Sequence, residues 1–213
     1  EAMASLVISV KSKDPNLVGR LFSAKIIELA LANIPGFFAQ SGVKTSGPVI
    51  VYWPALVKSK YIKEIVHVDG KDIEVEPTSQ LNLEEIYYQK EPIKLEKIEI
   101  KGERELYFGE LFGTRSGDKG GCANLGVWAK NSRAFAFLYD FLTVDKLKDL
   151  LPDLQEFKIE RFELANINSL NFYIHDILQD GVSSNNRKDG QAKSLGEYLR
   201  SKKIKVPKSI IGD

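Results

Sequence analysis

The spacing of apolar residues along the chain predicts short strands and amphipathic helices. Residues 5–10 alternate between apolar and polar and predict a strand. Asp14 and Pro15 are typical of a helix cap and first turn, ahead of an amphipathic helix that extends to Asn33. The apolar run 49–53 predicts a buried strand, and two β-rich runs around Asp69 and Gly70 predict an antiparallel hairpin. The first third therefore reads as a small α/β unit.

The pattern of the second half predicts a sheet with helices on one side. Strands are expected at residues 93–100, 105–112, 123–129, 155–164 and 169–177, and helices at residues 133–141, 143–151 and 189–202. Hydrophobicity falls between residues 76 and 92, where a boundary or linker is expected. This order of elements indicates an α+β architecture.

Composition and charge narrow the classes of function. The 213 residues carry 30 Lys and Arg against 29 Asp and Glu, interleaved along the chain, so we expect neither nucleic acid nor a membrane surface as a partner. No apolar run approaches the roughly 20 residues that span a bilayer, and a cytoplasmic location is expected. A single cysteine, Cys122, excludes an internal disulfide and a multi-cysteine zinc site. The two histidines are remote in sequence, so no bound metal is predicted.

The densest polar chemistry lies in a glycine-rich stretch, residues 111–127. Glycines allow close backbone approach, so the stretch is predicted to form a loop whose amides and cations converge on an anion. A phosphate, a carboxylate or an acyl-CoA head group would suit such a receptor. The alternative is a long hairpin in which the glycines only make the turn and the charges face water.

Each polar residue of the stretch has a candidate role. Arg115 would hold an anionic group with two hydrogen bonds, Lys119 would neutralise it, and Asp118 would orient one of them or accept a proton. Ser116 would donate a hydrogen bond to an oxyanion, because no histidine lies near it in sequence. In the alternative reading, these charges only neutralise one another at the surface. The predicted ligand-binding residues are Arg115, Ser116, Gly120, Gly121 and Asn124.

A second candidate region surrounds His175. Strand alternation places Asn171, Tyr173 and His175 on one face, where His175 is either a general acid–base or a structural residue. Cys122 is expected to be a small buried apolar residue rather than a reactive thiol. The predicted catalytic residues are Asp118, Lys119 and His175.

Several motifs resemble the AtuA family, the acyclic terpene utilisation proteins. They comprise residues 115–121 and 123–127, then 142–144 and 166–175, with upstream segments at 19–23, 28–31, 34–38 and 51–57. The resemblance implies a ferredoxin-like antiparallel sheet with helices on one face over residues 91–213. It also implies that residues 1–90 are a partial α/β module similar to the end of the family's N-terminal domain.

The resemblance also implies a function. The chain would be a subunit or domain that acts on an acyl-CoA or another anionic branched-chain intermediate, with residues 115–124 as the anion site. A hydratase or lyase step without a redox cofactor would suit the candidate residues. Family members are usually much longer, so we expect a larger AtuA-like subunit as a partner, in a homo- or hetero-oligomer. The alternative is a non-catalytic oligomerisation or docking module.

Overall fold

The core of the protein lies in its second half. The computed structural model describes residues 4–30, 32, 35–42, 45–75, 93–98 and 102–211. Every buried apolar side chain in these ranges lies between Leu106 and Ile210. None of the described residues from 4 to 75 is buried. The boundary predicted over residues 76–92 falls outside the described residues, so the division into two domains stays a prediction.

The described part of the chain contains helices and strands in mixed order. The helices are α1 (Pro15–Val18), α2 (Arg20–Ala30), α3 (Phe108–Leu111), α4 (Ser132–Phe141), α5 (Val144–Leu150) and α6 (Leu195–Arg200). The strands are β1 (Glu64–Val68), β2 (Lys71–Val75), β3 (Glu103–Tyr107), β4 (Phe112–Lys119), β5 (Cys122–Ala129), β6 (Ile159–Leu164), β7 (Ser169–Ile174) and β8 (Lys203–Pro207).

Four strands form the central sheet in the order β4-β5-β7-β6, and every neighbouring pair is antiparallel. Helices α4, α5 and α6 pack against this sheet. Strand β3 pairs with β8 in a separate antiparallel ladder, and β1 pairs with β2 around the predicted turn at Asp69 and Gly70. The predicted α+β class, a ferredoxin-like antiparallel sheet with helices on one side, is confirmed.

Local sequence signals place the helices and the inward face of the sheet. The side chain of Asn131 accepts a hydrogen bond from the Ala134 amide, and that of Thr143 accepts one from the Lys146 amide. These caps start α4 and α5 where the sequence predicted them. Along β5 and β7, buried and half-buried residues alternate, as expected for strands with one face on a core.

Three strand predictions are wrong. Residues 5–10 and 49–53 form no strand, and residues 93–98 are extended without a ladder partner. β-Rich composition favours a strand only where a partner strand and a packing surface are available. In this first part of the chain Leu6 and Trp53 are almost fully exposed, so no packing surface supports a sheet there.

Other elements differ from their predicted extent. The helix predicted up to Asn33 is divided at Gly19 into α1 and α2, the strand predicted over residues 155–164 begins at Ile159, and the one predicted over residues 169–177 ends at Ile174. The strand predicted over residues 105–112 is interrupted by α3, which turns the chain from the β3–β8 ladder into the central sheet. The closing helix is shorter than residues 189–202 because the Asp189 side chain binds the amides of Lys193 and Ser194. These bonds favour a turn ahead of α6.

Candidate functional site

One face of the central sheet carries most of the polar chemistry. Side chains of the other face are buried against the helices, as the burial of Phe112, Leu125 and Phe172 shows. We call the surface opposite to them the open face. Strand alternation and register assign it four groups of residues, one per strand. They are Gly113, Arg115, Gly117 and Lys119; Cys122, Asn124, Gly126 and Trp128; Ser169, Asn171, Tyr173 and His175; and Lys158, Glu160, Phe162 and Leu164.

The glycine-rich stretch is a hairpin, which corrects the predicted loop. Strands β4 and β5 pair along their full length and leave only Gly120 and Gly121 as the turn. The amides of β4 and β5 therefore take part in a sheet ladder rather than converging on an anion. This is the long hairpin of the alternative reading, although its charged residues are divided between two faces of a sheet.

The predicted site residues separate by strand alternation. Arg115, Lys119, Asn124 and His175 share the open face, whereas Ser116 points to the helices. Asp118 is half-buried on the same side as Ser116, and its carbonyl oxygen accepts a hydrogen bond from the Lys119 ammonium at 2.9 Å. The structure therefore brings together four of the eight predicted residues.

Ser116 joins the sheet to the start of α6. Its side chain is buried, and its hydroxyl donates to the Lys193 carbonyl at 3.0 Å and accepts from the Gly196 amide at 3.0 Å. Both hydrogen-bonding directions of the hydroxyl are thus used inside the fold. Ser116 fixes α6 against β4 and lies away from the open face.

The glycine pair allows one backbone to pack closely on another. Gly120 has φ +63°, the left-handed conformation that suits glycine. A Cβ on Gly121 would lie 2.1 Å from the carbonyl oxygen of Gln179. The Leu178 amide donates to the Gly121 carbonyl at 2.8 Å, which ties the hairpin turn to the loop after β7. These contacts account for both glycines without a ligand.

Three cations, Arg115, Lys119 and Lys193, lie at the β4 side of the open face. The Lys193 side chain reaches around this edge of the sheet, and its ammonium lies 3.0 Å from the position of a Cβ on Gly117. Arg115 is exposed two residues before Gly117 on the same face. Among the described residues, no carboxylate forms an ion pair with Arg115 or Lys193.

The surface above Gly126, which we call the Gly126 strip, carries no bulky side chain. It separates these cations from polar groups on β5 and β7. Gly126 lies opposite Arg115 and opposite Asn171 in the two registers. A Cβ on Gly126 would lie 4.0 Å from the Asn171 amide oxygen, so the missing side chain leaves space above the sheet. The Asn124 amide donates to that oxygen at 3.3 Å. The strip therefore has cationic and amide hydrogen-bond donors along its sides.

Asp189 holds the segment that carries Lys193. Its carboxylate accepts from the Lys193 amide at 2.9 Å, the Ser194 amide at 2.8 Å and the Ser194 hydroxyl at 2.7 Å. Burial acts to raise the pKa of Asp189, but these hydrogen bonds outweigh it and lower the pKa below its ordinary value. Ser116 and Asp189 together fix the backbone from which the Lys193 ammonium extends.

A cluster of titratable side chains lies at the hairpin-turn end of the open face. The Nε2 atom of His175 is 2.5 Å from a carboxylate oxygen of Glu160. This hydrogen bond, with the charge of Lys158, lowers the pKa of Glu160. A hydrogen bond with Cys122 raises the pKa of Tyr173. The ring centroids of Tyr173 and His175 lie 4.9 Å apart, and the two rings are nearly perpendicular. Cys122 is half-buried, so the expectation of a fully buried thiol is wrong.

The opposite end of the open face is apolar. Trp128, Phe162 and Leu164 lie here and are 41%, 47% and 41% exposed. A Cβ on Gly113 would lie 2.2 Å from the Trp128 ring, so the indole rests on the backbone of β4. The open face thus has polar and cationic groups at one end and exposed hydrocarbon at the other.

Comparison with protein families identifies the region that contains this site. The model of the AtuA ferredoxin-like domain matches residues 107–205. This part of the chain is an AtuA ferredoxin-like domain. A search of curated proteins and a search of solved structures each gave no match. The resemblance to the AtuA family is confirmed, and the matched residues include every residue of the open face.

The AtuA ferredoxin-like domain contains site residues that sequence reasoning missed. Lys193 is far from Arg115 in sequence, and no local pattern links the two. Glu160 lies within a predicted strand, but its contact with His175 depends on the β6–β7 register. The alternation of Asn171, Tyr173 and His175 was predicted and is confirmed, since all three share the open face.

The described residues contain neither a candidate metal-binding group nor a candidate membrane-spanning helix. Within them, no three His, Cys, Asp or Glu side chains are close enough together to hold a metal ion. No helix in the described part of the chain has the length and apolar character needed to cross a bilayer.

Proposed function

We propose that this chain is a subunit or domain of an AtuA-like protein that acts on an acyl-CoA or another anionic branched-chain compound. In this proposal the open face binds the ligand, with its anionic part beside Arg115 and Lys193. The observation that carries the proposal is that Arg115 and Lys193 have no carboxylate partner among the described residues and lie on the same face as an exposed apolar group.

The two ends of the open face match the two parts of such a ligand. A guanidinium and an ammonium on one side of the Gly126 strip can both donate to the oxygens of a phosphate or carboxylate. Trp128, Phe162 and Leu164 offer hydrocarbon surface to apolar parts of the ligand. The amides of Asn124 and Asn171 supply further polar contacts between the two ends.

The binding test uses isobutyryl-CoA as the ligand and isothermal titration calorimetry as the measurement. Arg115→Gln and Lys193→Gln should each weaken binding by about 10- to 100-fold, because a hydrogen bond to a charged group contributes about 1.5–3 kcal/mol. Trp128→Ala should weaken binding of isobutyryl-CoA, because it removes exposed apolar surface from the open face.

Lys205→Gln is the matched control. Lys205 is an exposed lysine on β8, outside the central sheet, and its substitution removes the same charge. It should leave the dissociation constant unchanged within about twofold, since exposed charges separated by more than about 10 Å are screened by salt. Equal loss in Lys205→Gln and Lys193→Gln would mean that only net charge matters and would refute a defined site.

A docking module is the second candidate function, and a separate observation favours it. Tyr52, Trp53 and Leu56 are 81%, 88% and 104% exposed, although large apolar side chains are usually buried. In this proposal the first third of the chain packs on a larger subunit or on another copy. Light scattering should detect an assembly larger than a monomer, and the double variant Trp53→Ser with Leu56→Ser should shift it towards the monomer. A monomer at all concentrations, with no larger chain co-purifying from the native cell, would contradict this candidate.

A further inference from the structure

We propose that Glu160 positions His175 so that the ring nitrogen Nδ1 removes a proton from the carbon next to the carbonyl of a bound acyl thioester. This inference rests on the proposed function, because it requires the ligand to occupy the open face. It assigns a reaction class, proton abstraction, and a positioning residue, Glu160.

Two contacts hold the imidazole ring of His175, and a third holds its backbone. Its Nε2 atom lies 2.5 Å from a carboxylate oxygen of Glu160. The centroids of the His175 and Tyr173 rings lie 4.9 Å apart, with the rings nearly perpendicular. The His175 amide donates to the Lys158 carbonyl at 3.0 Å, which holds the backbone beside β6. Among the described residues Nδ1 has no hydrogen-bond partner, while the side chain is 26% exposed. The ring is therefore held with one nitrogen engaged and the other available.

The chemistry of the partner decides which nitrogen acts as the base. An ionised carboxylate only accepts hydrogen bonds, so a neutral His175 that binds Glu160 carries its proton on Nε2. The lone pair then lies on Nδ1. The carboxylate also stabilises the imidazolium that forms after proton transfer, as a carboxylate does in other histidine pairs.

The register places this base within reach of a ligand bound beside the cations. Continuing the β5–β7 register by one residue sets His175 opposite Cys122, the neighbour of Lys119 on β4. His175 is thus two strands from β4, about 10 Å at the usual strand spacing of about 4.8 Å, and Arg115 lies four residues, about 13 Å, further along β4. A CoA thioester is long enough to contact both places.

The proposed step balances within the ligand and the imidazole. Nδ1 takes the α-proton, the electron pair of the C–H bond forms a carbon–carbon double bond, and the thioester carbonyl becomes an enolate oxygen. Return of a proton from the imidazolium restores the thioester. In D2O the imidazolium exchanges its proton with solvent, so the α-position gains deuterium.

The charged and titratable groups around the imidazole come from four strands and one loop. They are Lys119 on β4, Cys122 on β5, Tyr173 on β7, Lys158 and Glu160 beside or on β6, and Asp176 in the loop after β7. Of these, Glu160 is the one that binds the ring nitrogen directly. A variant at Glu160 therefore tests the proposal more directly than one at any neighbour.

The first experiment measures deuterium exchange at the α-carbon of isobutyryl-CoA by proton NMR, using the full chain. Glu160→Gln should slow exchange at least 100-fold, because an amide donates to Nε2 and moves the proton of the neutral ring to Nδ1. Its affinity for isobutyryl-CoA should stay within about threefold of the wild type. Asp72→Asn is the control, because Asp72 binds the chain's other histidine, His67, in an exposed hairpin.

The second experiment observes the tautomers directly by two-bond proton–nitrogen NMR at about pH 9, where an ordinary imidazole is neutral. His67 binds its carboxylate through Nδ1 and His175 through Nε2, so the two signals should report opposite tautomers. Glu160→Gln should increase the Nδ1–H form of His175 and leave His67 unchanged. Identical tautomers of His175 in wild type and variant would overturn the positioning role.

The outcomes separate this inference from the proposed function. If isobutyryl-CoA binds but its α-proton does not exchange, proton abstraction is refuted while the binding function stands. If Glu160→Gln exchanges as fast as the wild type, Glu160 has no positioning role. If isobutyryl-CoA does not bind at all, the proposed function fails and this inference fails with it.

Discussion

Replacing Gly121 or Gly120 by alanine distinguishes two reasons for a glycine in the hairpin turn: close packing on a neighbouring backbone and a left-handed backbone conformation. A Cβ at Gly121 would lie 2.1 Å from the Gln179 carbonyl oxygen, whereas a Cβ at Gly120 meets nothing within 4 Å. Gly120 has φ +63°, so alanine there is strained but not in collision. The two substitutions therefore add the same methyl group to adjacent residues with different physical consequences.

The magnitudes follow from these distances. Because Cβ contacts essentially never fall below 3.0 Å, the Gly121→Ala variant must displace the Gln179 backbone by about 0.9 Å. Such a shift also stretches the 2.8 Å hydrogen bond from the Leu178 amide to the Gly121 carbonyl. Overpacking and a weakened hydrogen bond together should cost about 2–4 kcal/mol. Gly120→Ala should cost about 1–2 kcal/mol from left-handed backbone strain.

The assay is urea unfolding followed by circular dichroism, with both variants measured against the wild type. The gain from reducing the freedom of the unfolded chain is the same for both substitutions and cancels in their comparison. Unchanged m-values would show that the difference in midpoint reports stability alone. If Gly121→Ala is as stable as Gly120→Ala, the tight contact with Gln179 does not exist and the explanation of the glycine pair is wrong.

Other predictions test the contacts around α6 and β4. Ser116→Ala should lower the free energy of unfolding by about 2–4 kcal/mol, because it leaves the Gly196 amide and the Lys193 carbonyl without their shared partner. Ser201→Ala, at an exposed serine, is the control and should change the free energy of unfolding by less than about 0.5 kcal/mol in the same urea assay. Thr114→Val should raise stability by about 0.5–1 kcal/mol, since the buried Thr114 hydroxyl has no hydrogen-bond partner among the described residues; a loss instead would indicate a missing partner. The lowered pKa of Asp189 means that its contribution to stability is fully present above the ordinary value of 3.8 and is lost as pH falls through the folded-state pKa. Urea midpoints between about pH 2 and pH 5 should therefore fall more steeply for the wild type than for Asp189→Asn, and parallel curves would contradict this.

Local sequence signals were reliable where a few neighbouring residues determine the structure. The caps at Asn131 and Thr143 act within three residues, so they start α4 and α5 as predicted. The hairpin at Asp69 and Gly70 has the same local origin. Signals of this range also explain why the expected shared face of Asn171, Tyr173 and His175 is confirmed.

The same local signals failed where a strand needs a distant partner. The apolar run 49–53 has strand composition but no ladder, because pairing depends on another segment and on a surface that covers it. The glycine-rich stretch shows the opposite error, since it was predicted to be a loop and forms two paired strands. Its glycines suggested a loop with close backbone approach, whereas pairing of β5 with β7 and packing on the loop after β7 make the stretch a regular hairpin.

The sequence by itself determined the α+β class, the family resemblance and the residue types available for a site. Tertiary structure alone decided which of them meet: Ser116 turns inward to α6, while Lys193 and Glu160 reach the open face from distant segments. The physical reason is that strand register and the packing of α6 on β4 are set by burial of the whole core. A pattern with a period of two or of 3.6 residues fixes the face of one element, and it does not specify the partner across the sheet.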